Sequence, residues 1–198
     1  ISKGTIDTSE TKSTLVIFPR SITATIVAVL SLDEHRYASL AEFNLYSDPD
    51  QSEPKIVQLC FDESRDKFWA KHKIDRTGWV ATANSENNVN KNDGPASFMI
   101  DGNTATHWHS YYNSGHNDLL NKSDPYIATI NLGKETTFKA FSYMPRQDSA
   151  NGRFQHFEFY VAKTQEELNT KIQSNQYEAK GDIDNKLTNS TLVIFYTV

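Results

Sequence analysis

The sequence predicts an all-β domain built as a β-sandwich. β-branched and aromatic residues are concentrated in short stretches, and several stretches alternate apolar with polar residues, as half-buried strands do. Short polar turns separate the stretches, a pattern typical of two packed sheets. The strand-like stretches are residues 13–18, 21–30, 125–132, 138–144 and 154–162.

Helical signals occur in two places. Residues 62–74 have the pattern of one or two amphipathic turns, and they follow residues 48–55, whose prolines and acidic side chains favour an extended linker. Residues 164–173 predict a short helix, because Thr164 can cap the first turn and Glu167 follows three positions later.

Two segments of the chain are copies of one another. Residues 3–18 and 180–195 agree at eleven of sixteen aligned positions, and both contain Ser-Thr-Leu-Val-Ile-Phe. This agreement predicts that the sequence begins inside one copy of a unit and ends inside another. Two arrangements remain open. The chain is a cut through a tandem array, or its N-terminal strands supply the closing strands that the C-terminal copy lacks.

Composition and charge limit the classes of function. The 198 residues are 37% hydrophobic, which is enough for one main domain. A net charge of −5 argues against nucleic acid and acidic membranes as partners, because both require a dense basic footprint. No stretch approaches the roughly 20 apolar residues that cross a bilayer, and no signal sequence is present, so we expect a fragment or a mature form. The single cysteine, Cys60, provides no disulfide framework.

Catalytic and metal-binding motifs are sparse. The sequence has no G-x-S-x-G nucleophile elbow, no phosphate loop and no G-x-G-x-x-G, so we predict that the chain is not an enzyme. His107 and His109 would share one side of a strand, but no third ligand at zinc spacing accompanies them. We interpret them as polar surface or sugar-contacting residues. Residues 101–106, Asp-Gly-Asn-Thr-Ala-Thr, bring oxygen atoms together, which suits either a calcium ion or an Asx turn without an ion.

Several motifs occur in the order and spacing of a known family. They are residues 79–83, 94–108, 126–133, 143–147, 151–154 and 157–161, with a closing strand at residues 37–46. These motifs resemble the discoidin, or coagulation factor 5/8 type C, family, and most closely its family 32 carbohydrate-binding modules of bacterial glycosidases. The resemblance implies an antiparallel β-sandwich, a discoidin-like jelly roll of the galactose-binding-domain type. We predict that Trp79 and Trp108 are core residues.

The resemblance also divides the chain. Residues 76–198 match a discoidin-like carbohydrate-binding domain without its closing strand, whereas residues 1–48 contain a closing strand to spare. Residues 49–75 are then a linker with a short helix. Because an unpaired sheet edge promotes association, we predict that residues 21–46 refill the missing position, within one chain or by exchange in a homodimer. Otherwise residues 1–48 belong to a preceding repeat.

A structural calcium ion is the cofactor that the resemblance implies. Its ligands would be Asp101, Thr106, the Ala41-Glu42 pair of the closing strand, and the backbone carbonyls of Phe98 and Asn103. Glu42 has to reach Asp101 from the N-terminal segment, so the prediction depends on where that segment folds.

A sugar site is implied in the loops at one end of the sandwich. An aromatic ring stacks on the apolar face of a sugar, while its hydroxyls require charged or amide partners. The corresponding residues are Arg146, Asn151, His116, Tyr37, and Tyr111 or Tyr112. Either of the last two tyrosines would replace a tryptophan that some sugar-binding relatives carry near Leu119.

The resemblance implies a non-catalytic module that targets an attached glycoside hydrolase to glycans with terminal galactose, N-acetylgalactosamine or N-acetylglucosamine type sugars. Such a module raises the local concentration of the hydrolase at its glycan. The alternative is a protein-adhesion or spacer module of a secreted multidomain protein. Either one would work in a secreted, periplasmic or cell-surface location.

Overall fold

The computed structural model describes eight parts of the chain. These are residues 2–5, 14–32, 37–48, 69–87, 93–112, 125–149, 151–182 and 191–194. The strands are β1 (Ser2–Thr5), β2 (Thr14–Ser31), β3 (Ser39–Leu40), β4 (Glu42–Tyr46), β5 (Val80–Ala83), β6 (Asp93–Gly94), β7 (His107–His109), β8 (Tyr126–Met144), β9 (His156–Ala162), β10 (Ala179–Asp182) and β11 (Thr191–Ile194). A 3-10 helix spans Ala96–Ile100, and an α-helix, α1, spans Gln165–Gln173.

Two long strands organise the larger sheet. β2 and β8 run antiparallel, β9 pairs with the second half of β2, and β4 and β5 pair with β8 on its other side. β10 extends the sheet beyond β9, and β11 and β1 extend it beyond the first half of β2. A second sheet contains β3, β7 and β6. The pairing is antiparallel except between β11 and β2 and between β6 and β7, and the predicted all-β sandwich is confirmed.

One apolar core joins the two sheets. It contains Leu40 and Trp108 from the smaller sheet and Phe141 and Phe159 from the larger one, all fully buried. The rings of Phe141 and Phe159 stack with centroids 4.5 Å apart. None of the described helices has the length and apolar character needed to cross a membrane.

A register shift in β2 changes which residues face this core. The shift lies between Ala24 and Ile26 of β2 in its pairing with β8. Before it, even-numbered residues of β2 enter the core, whereas after it Val27 and Val29 do. The even-numbered residues beyond the shift pack instead against Leu168 of α1. Because strand side chains alternate between faces, the shift turns the odd-numbered residues toward the core, and α1 covers the opposite face, so the second half of β2 is buried on both faces.

The closing strand β4 lies in the larger sheet of the same chain. It pairs antiparallel with the last part of β8 along all of Glu42–Tyr46. Phe43 is fully buried, and its ring stacks on that of Phe141 with centroids 5.7 Å apart. The N-terminal segment therefore fills the position beside β8 within one chain. The division of the chain at residues 48 and 75 stays a prediction.

The helix predicted at residues 164–173 is confirmed. The Thr164 hydroxyl caps α1 by accepting a hydrogen bond of 3.1 Å from the Glu167 backbone N–H. The Glu167 carboxylate accepts in turn from the Lys163 N–H at 2.8 Å, so both groups stabilise the first turn. In the other predicted segment, Trp69 and Ala70 are helical, and the Trp69 side chain is buried.

The two copies of the repeated sequence lie side by side. β11 pairs in parallel with the start of β2, and residues 192–194 lie opposite residues 15–17. Each position carries the same residue type in both strands. β1 and β10 likewise occupy equivalent positions of the two copies. The N-terminal copy is the one that pairs with β8, and β11 lies on its far side.

Candidate functional site

Strand β7 carries two histidines on one face. His107 and His109 flank Trp108, which is fully buried and donates its indole N–H to the carbonyl of Ser85 at 2.9 Å. Successive strand residues point to opposite faces, so both imidazoles lie on the face away from Trp108, with ring centroids 6.1 Å apart. The core positions predicted for Trp108 and Trp79 are confirmed, since the second is 8% exposed.

A group of polar and aromatic side chains surrounds these histidines. We call it the histidine cluster and define it as Tyr37, Asp93, His107, His109, Tyr112, Arg146 and Asp148. Three of its rings form a triangle, with centroid distances of 4.8 Å for His109–Tyr112, 5.6 Å for Tyr37–His109 and 6.0 Å for Tyr37–Tyr112. Tyr37 and Tyr112 are half-buried, so the cluster reaches the protein surface at these two rings.

Asp93 supplies a carboxylate beside the histidines. It lies on β6, where the parallel pairing with β7 places it opposite His107. One carboxylate oxygen accepts from the Tyr112 hydroxyl at 2.8 Å, and the other accepts from the Asn87 side-chain amide at 3.2 Å. The Nε2 atom of His107 lies 4.0 Å from that second oxygen. Asp93 therefore fixes the Tyr112 ring and adds an acceptor to the cluster.

His109 presents an unpaired acceptor inside the cluster. Its Nδ1 lies 2.7 Å from the carbonyl oxygen of Ser110, and a carbonyl can only accept, so Nδ1 carries the proton. Nε2 then holds a lone pair, and neither this atom nor Nε2 of His107 has a hydrogen-bond partner within the described part of the chain. An unmet buried polar atom costs about 1–3 kcal/mol, but His109 is fully buried, so a ligand could reach this atom only by displacing the side chains that cover it.

The burial of His107 predicts a pH-dependent stability. Burial, and then the nearby Arg146 charge, lower the pKa of this imidazole from 6.5 to about 4. Between these values the unfolded chain takes up a proton and the native protein does not, so stability falls as the pH falls from 6.5 to 4. We expect His107 to contribute at most about 3 kcal/mol to the decrease in the free energy of unfolding between pH 6.5 and pH 4, measured by urea denaturation. The decrease should therefore be smaller in His107→Gln.

The control for this measurement is His156→Gln, which changes an exposed histidine. It should keep the wild-type dependence on pH. An equal pH dependence in wild type and His107→Gln would contradict the assignment.

Arg146 is held rigidly at the edge of the cluster. Its Nε and Nη2 atoms donate to the two carboxylate oxygens of Asp148 at 2.8 and 2.9 Å, and this guanidinium holds the pKa of Asp148 down at about 2. The backbone carbonyl of Arg146 accepts from both Nε and Nη2 of the buried Arg153, at 3.0 and 2.7 Å. Asp148 thereby orients the guanidinium of Arg146, which is the predicted hydrogen-bond donor to the sugar. The side chain of Asp148 is itself 65% exposed.

The loop that carries Asn151 is tied to β3. The Asn151 carbonyl accepts from the Ser39 hydroxyl at 3.2 Å, and the Ser39 N–H donates to the carbonyl of Gly152 at 2.6 Å. Gly152 has φ of 77°, and a Cβ there would lie 3.1 Å from the Ala38 carbonyl carbon, so only glycine suits this close approach. The contact brings the loop beside the segment that carries Tyr37.

The remaining predicted sugar-site residues have different outcomes. Tyr111 is half-buried next to the cluster, and its backbone N–H donates to the Ser85 hydroxyl at 3.0 Å. His116 lies outside the described residues. Tyr37, Tyr112 and Arg146 are brought together around His107 and His109. The structure buries both histidines, which are 3% and 0% exposed, so the interpretation of them as surface residues is wrong, while a contact with sugar stays a prediction.

Residues 101–106 form a turn in which oxygen atoms converge. Asp101 accepts from the Asn103 N–H at 2.8 Å, which makes an Asx turn, and Gly102 has φ of 85°. The Thr106 hydroxyl oxygen lies 2.6 Å from the Asp101 carboxylate and 2.8 Å from the Asn103 carbonyl. A hydroxyl has one proton and can donate to one of these two acceptors at a time, so three oxygens are crowded together.

The closing strand adds a second carboxylate to this turn. Glu42 is 4% exposed, and its Oε1 accepts from the Gly102 N–H at 2.7 Å. Burial raises the pKa of Glu42, and the neighbouring Asp101 carboxylate raises it further, while Arg76 opposes both effects. The N-terminal segment thus places Glu42 beside Asp101, as the calcium prediction requires.

These donors fit a hard cation. Ca²⁺ prefers carboxylate, hydroxyl and carbonyl oxygens, and two carboxylates, one hydroxyl and one carbonyl meet at this turn. Phe98 lies in the 3-10 helix just before it, and Ala41 directly precedes β4. Among the described residues no three His, Cys, Asp or Glu side chains converge, so an ion here would take mixed carboxylate and neutral ligands.

The structure is a mainly antiparallel β-sandwich whose polar and aromatic side chains gather around the two histidines of β7. The model of the F5/8 type C domain matches residues 80–194, which is more than half of the chain. The chain therefore belongs to the F5/8 type C, or discoidin, domain family. Domains of this family are typically non-catalytic and often bind carbohydrates.

The chain is also similar to part of an enzyme from Flavonifractor plautii. It is 36% identical over 69 residues to an A type blood N-acetyl-alpha-D-galactosamine deacetylase of Flavonifractor plautii. The match covers 35% of this chain and 8% of the relative, so the chain corresponds to a small part of that protein.

Asp93 and Asp148 are the cluster residues that the sequence did not indicate. The alternation in His-Trp-His indicated that both histidines share a face, but it did not show what they face. Asp93 lies 14 positions before His107 and becomes its neighbour through the parallel pairing of β6 with β7. That pairing is a tertiary contact with no local signal.

Proposed function

We propose that this chain is a non-catalytic carbohydrate-binding module that brings an attached glycoside hydrolase to its glycan. The proposed ligands are terminal galactose or N-acetylhexosamine type sugars. Because such glycans lie outside the cell, the proposed location is secreted, periplasmic or cell-surface. Weak binding is sufficient for this role, since tethering raises the effective concentration of the attached enzyme.

The histidine cluster is the observation that supports this proposal. It combines a fixed cationic donor on Arg146, an unpaired neutral acceptor on His109 and a carboxylate on Asp93. The half-buried rings of Tyr37 and Tyr112 lie beside these groups. A sugar has hydroxyls that both donate and accept and an apolar face that stacks on a ring, so its chemistry matches that of the cluster.

The similar enzyme guides the choice of the first ligand. Its name identifies N-acetyl-α-D-galactosamine as the group on which that protein acts. A module within such an enzyme gains most by binding the same glycan or a neighbouring sugar. N-acetylgalactosamine is therefore the first sugar to test, followed by galactose and N-acetylglucosamine.

Replacing Arg146 by alanine tests the sugar site. Isothermal titration of wild type with these three sugars should show binding, and Arg146→Ala should weaken the affinity at least tenfold, which is about 1.4 kcal/mol. The fold should survive, because Asp148 is largely exposed and because the contact of Arg146 with Arg153 uses the backbone carbonyl.

The matched control is Arg20→Ala. Arg20 also pairs with an acid, Glu178, but neither residue belongs to the histidine cluster. The control should retain wild-type affinity. Full affinity in Arg146→Ala would show that the sugar binds elsewhere. If wild type binds none of the sugars, the carbohydrate proposal fails and a protein-adhesion module becomes the better interpretation.

We further propose that the Asp101 turn binds a structural calcium ion. Asp101, Thr106, Asn103 and Glu42 would hold it, with the carbonyls of Phe98 and Ala41 completing the set. When bound, the ion would join the closing strand to the turn and stabilise both. The crowded oxygens of Asp101, Asn103 and Thr106 support this proposal.

We also propose that the N-terminal segment can cross to a second copy of the chain and form a strand-exchanged homodimer. The in-register pairing of residues 15–17 with residues 192–194 supports this, because two strands of one sequence suit the same position beside β8. The molar mass of the purified chain, measured by light scattering across a range of concentrations, distinguishes the exchanged dimer from the closed monomer.

A further inference from the structure

We propose that Arg76 is an internal cation of the Asp101 turn, one that holds the closing strand when calcium is absent and opposes calcium when it binds. This inference rests on the proposed calcium site. In the sequence, Arg76 lies between β4 and β5, two strands of the larger sheet. It is the first residue of the domain that the resemblance predicted.

The contacts of Arg76 connect three parts of the fold. Its Nη1 donates to Oε2 of Glu42 and to the backbone carbonyl of Phe43 at 3.3 Å, and both acceptors lie on β4. Its own carbonyl accepts from the Trp79 N–H at 2.9 Å, which anchors the backbone just before β5. The side chains of Arg76 and Glu42 are 15% and 5% exposed, so this ion pair is shielded from water.

The guanidinium also lies against the turn itself. A Cβ added to Gly102 would come within 3.4 Å of Nη2 of Arg76. Glu42 divides its two carboxylate oxygens, giving Oε2 to Arg76 and Oε1 to the Gly102 N–H. The positive charge of Arg76 therefore lies close to the position that a cation bound by Glu42 and Asp101 would occupy.

The charges of the site explain the two effects. Glu42, Asp101 and Arg76 sum to −1 without an ion and to +1 with Ca²⁺. Without the ion, Arg76 neutralises a buried carboxylate that would otherwise be costly, because an unpaired buried charge is strongly destabilising. With the ion, a second cation lies close to the Glu42–Arg76 pair, which is shielded from water, and the repulsion between the two cations lowers the affinity for calcium.

The test compares Arg76→Gln with wild type. Glutamine keeps an amide donor but removes the charge. In excess chelator, the melting temperature of Arg76→Gln should be lower than that of wild type. Its affinity for calcium, measured by titration calorimetry on the chelator-treated protein, should be at least tenfold tighter. Arg76→Lys keeps the charge, so both of its values should lie between those of wild type and Arg76→Gln.

Lys71→Gln is the matched control. Lys71 lies in the same segment, and its side chain is exposed. It should leave both values close to wild type. An unchanged melting temperature in chelator together with unchanged calcium affinity in Arg76→Gln would overturn the proposal. If neither protein binds calcium but Arg76→Gln melts lower, the calcium site fails while the role of Arg76 in holding β4 is supported.

Discussion

Deletion of residues 1–48 is expected to abolish cooperative folding. β2 lies between β8, β9 and β11, and β4 covers the other edge of β8, so the deletion unpairs strands on both sides of β8. It also removes fully buried side chains such as Phe43 and Val27 from the core. The loss exceeds the roughly 5–15 kcal/mol by which a domain is stable, and the exposed strand edges promote aggregation. Thermal unfolding followed by circular dichroism is the measurement.

Deletion of residues 1–13 is the control for this experiment. It removes β1 but keeps all of β2 and β4, and it should retain a cooperative transition. A soluble protein with a cooperative transition after deletion of residues 1–48 would contradict the expectation. In that case the N-terminal segment would be only the tail of a preceding module.

Replacing Asp101 by alanine should abolish the response of the protein to calcium chelators. Asp101 is the carboxylate of the turn in the proposed calcium site, and without it Glu42 would be the one carboxylate left to hold the ion. Binding to the folded state alone stabilises by RT ln(1 + [L]/Kd), so calcium at 100 times Kd contributes about 2.7 kcal/mol to wild type. The difference in unfolding free energy with and without chelator measures this contribution, and it should vanish in Asp101→Ala.

Asp75→Ala is the matched control for that experiment. Asp75 forms a similar turn, accepting from the N–H and hydroxyl of Thr77 at 3.1 and 3.0 Å, but it is exposed and contributes nothing to the Asp101 turn. It should keep the full chelator response of wild type. A wild-type protein that is indifferent to chelator would remove the calcium proposal.

Both candidate sites depend on the position of the N-terminal segment. It brings Tyr37 to the histidine cluster and Glu42 to the Asp101 turn, and these residues are only five positions apart. Displacement of this segment would therefore dismantle the proposed sugar site and the proposed calcium site together. A strand-exchanged dimer would rebuild both sites with residues from two copies.

Local features of the fold could be predicted from the sequence. Stretches rich in β-branched and aromatic residues predicted strands within what became β2, β8 and β9. The Thr164 cap with Glu167 predicted α1. The Asp101 turn was also predicted, because an Asx turn depends on residues two positions apart. Each of these is decided by a few neighbouring residues, and the sequence contains all of them.

The composition of the sites was decided by the tertiary structure. The strand pattern placed both β7 histidines on one face, but Asp93 joined them through β6, and Arg76 reached Glu42 across 34 positions. The register shift in β2 between Ala24 and Ile26 was also not visible, since it depends on how β2 pairs with β8. Long-range contacts of this kind depend on the whole packed fold rather than on local preference.

The repeated segment shows most clearly what the local sequence determines and what the tertiary structure decides. Residues 15–17 and 192–194 are identical, so no local property can select which copy pairs with β8. The structure selects the N-terminal copy, which continues through the rest of β2 to β4 and buries Val27, Val29 and Phe43 in the core. The sequence alone determined that both copies form strands. The apolar surface buried by the residues that follow the first copy decided which one lies beside β8.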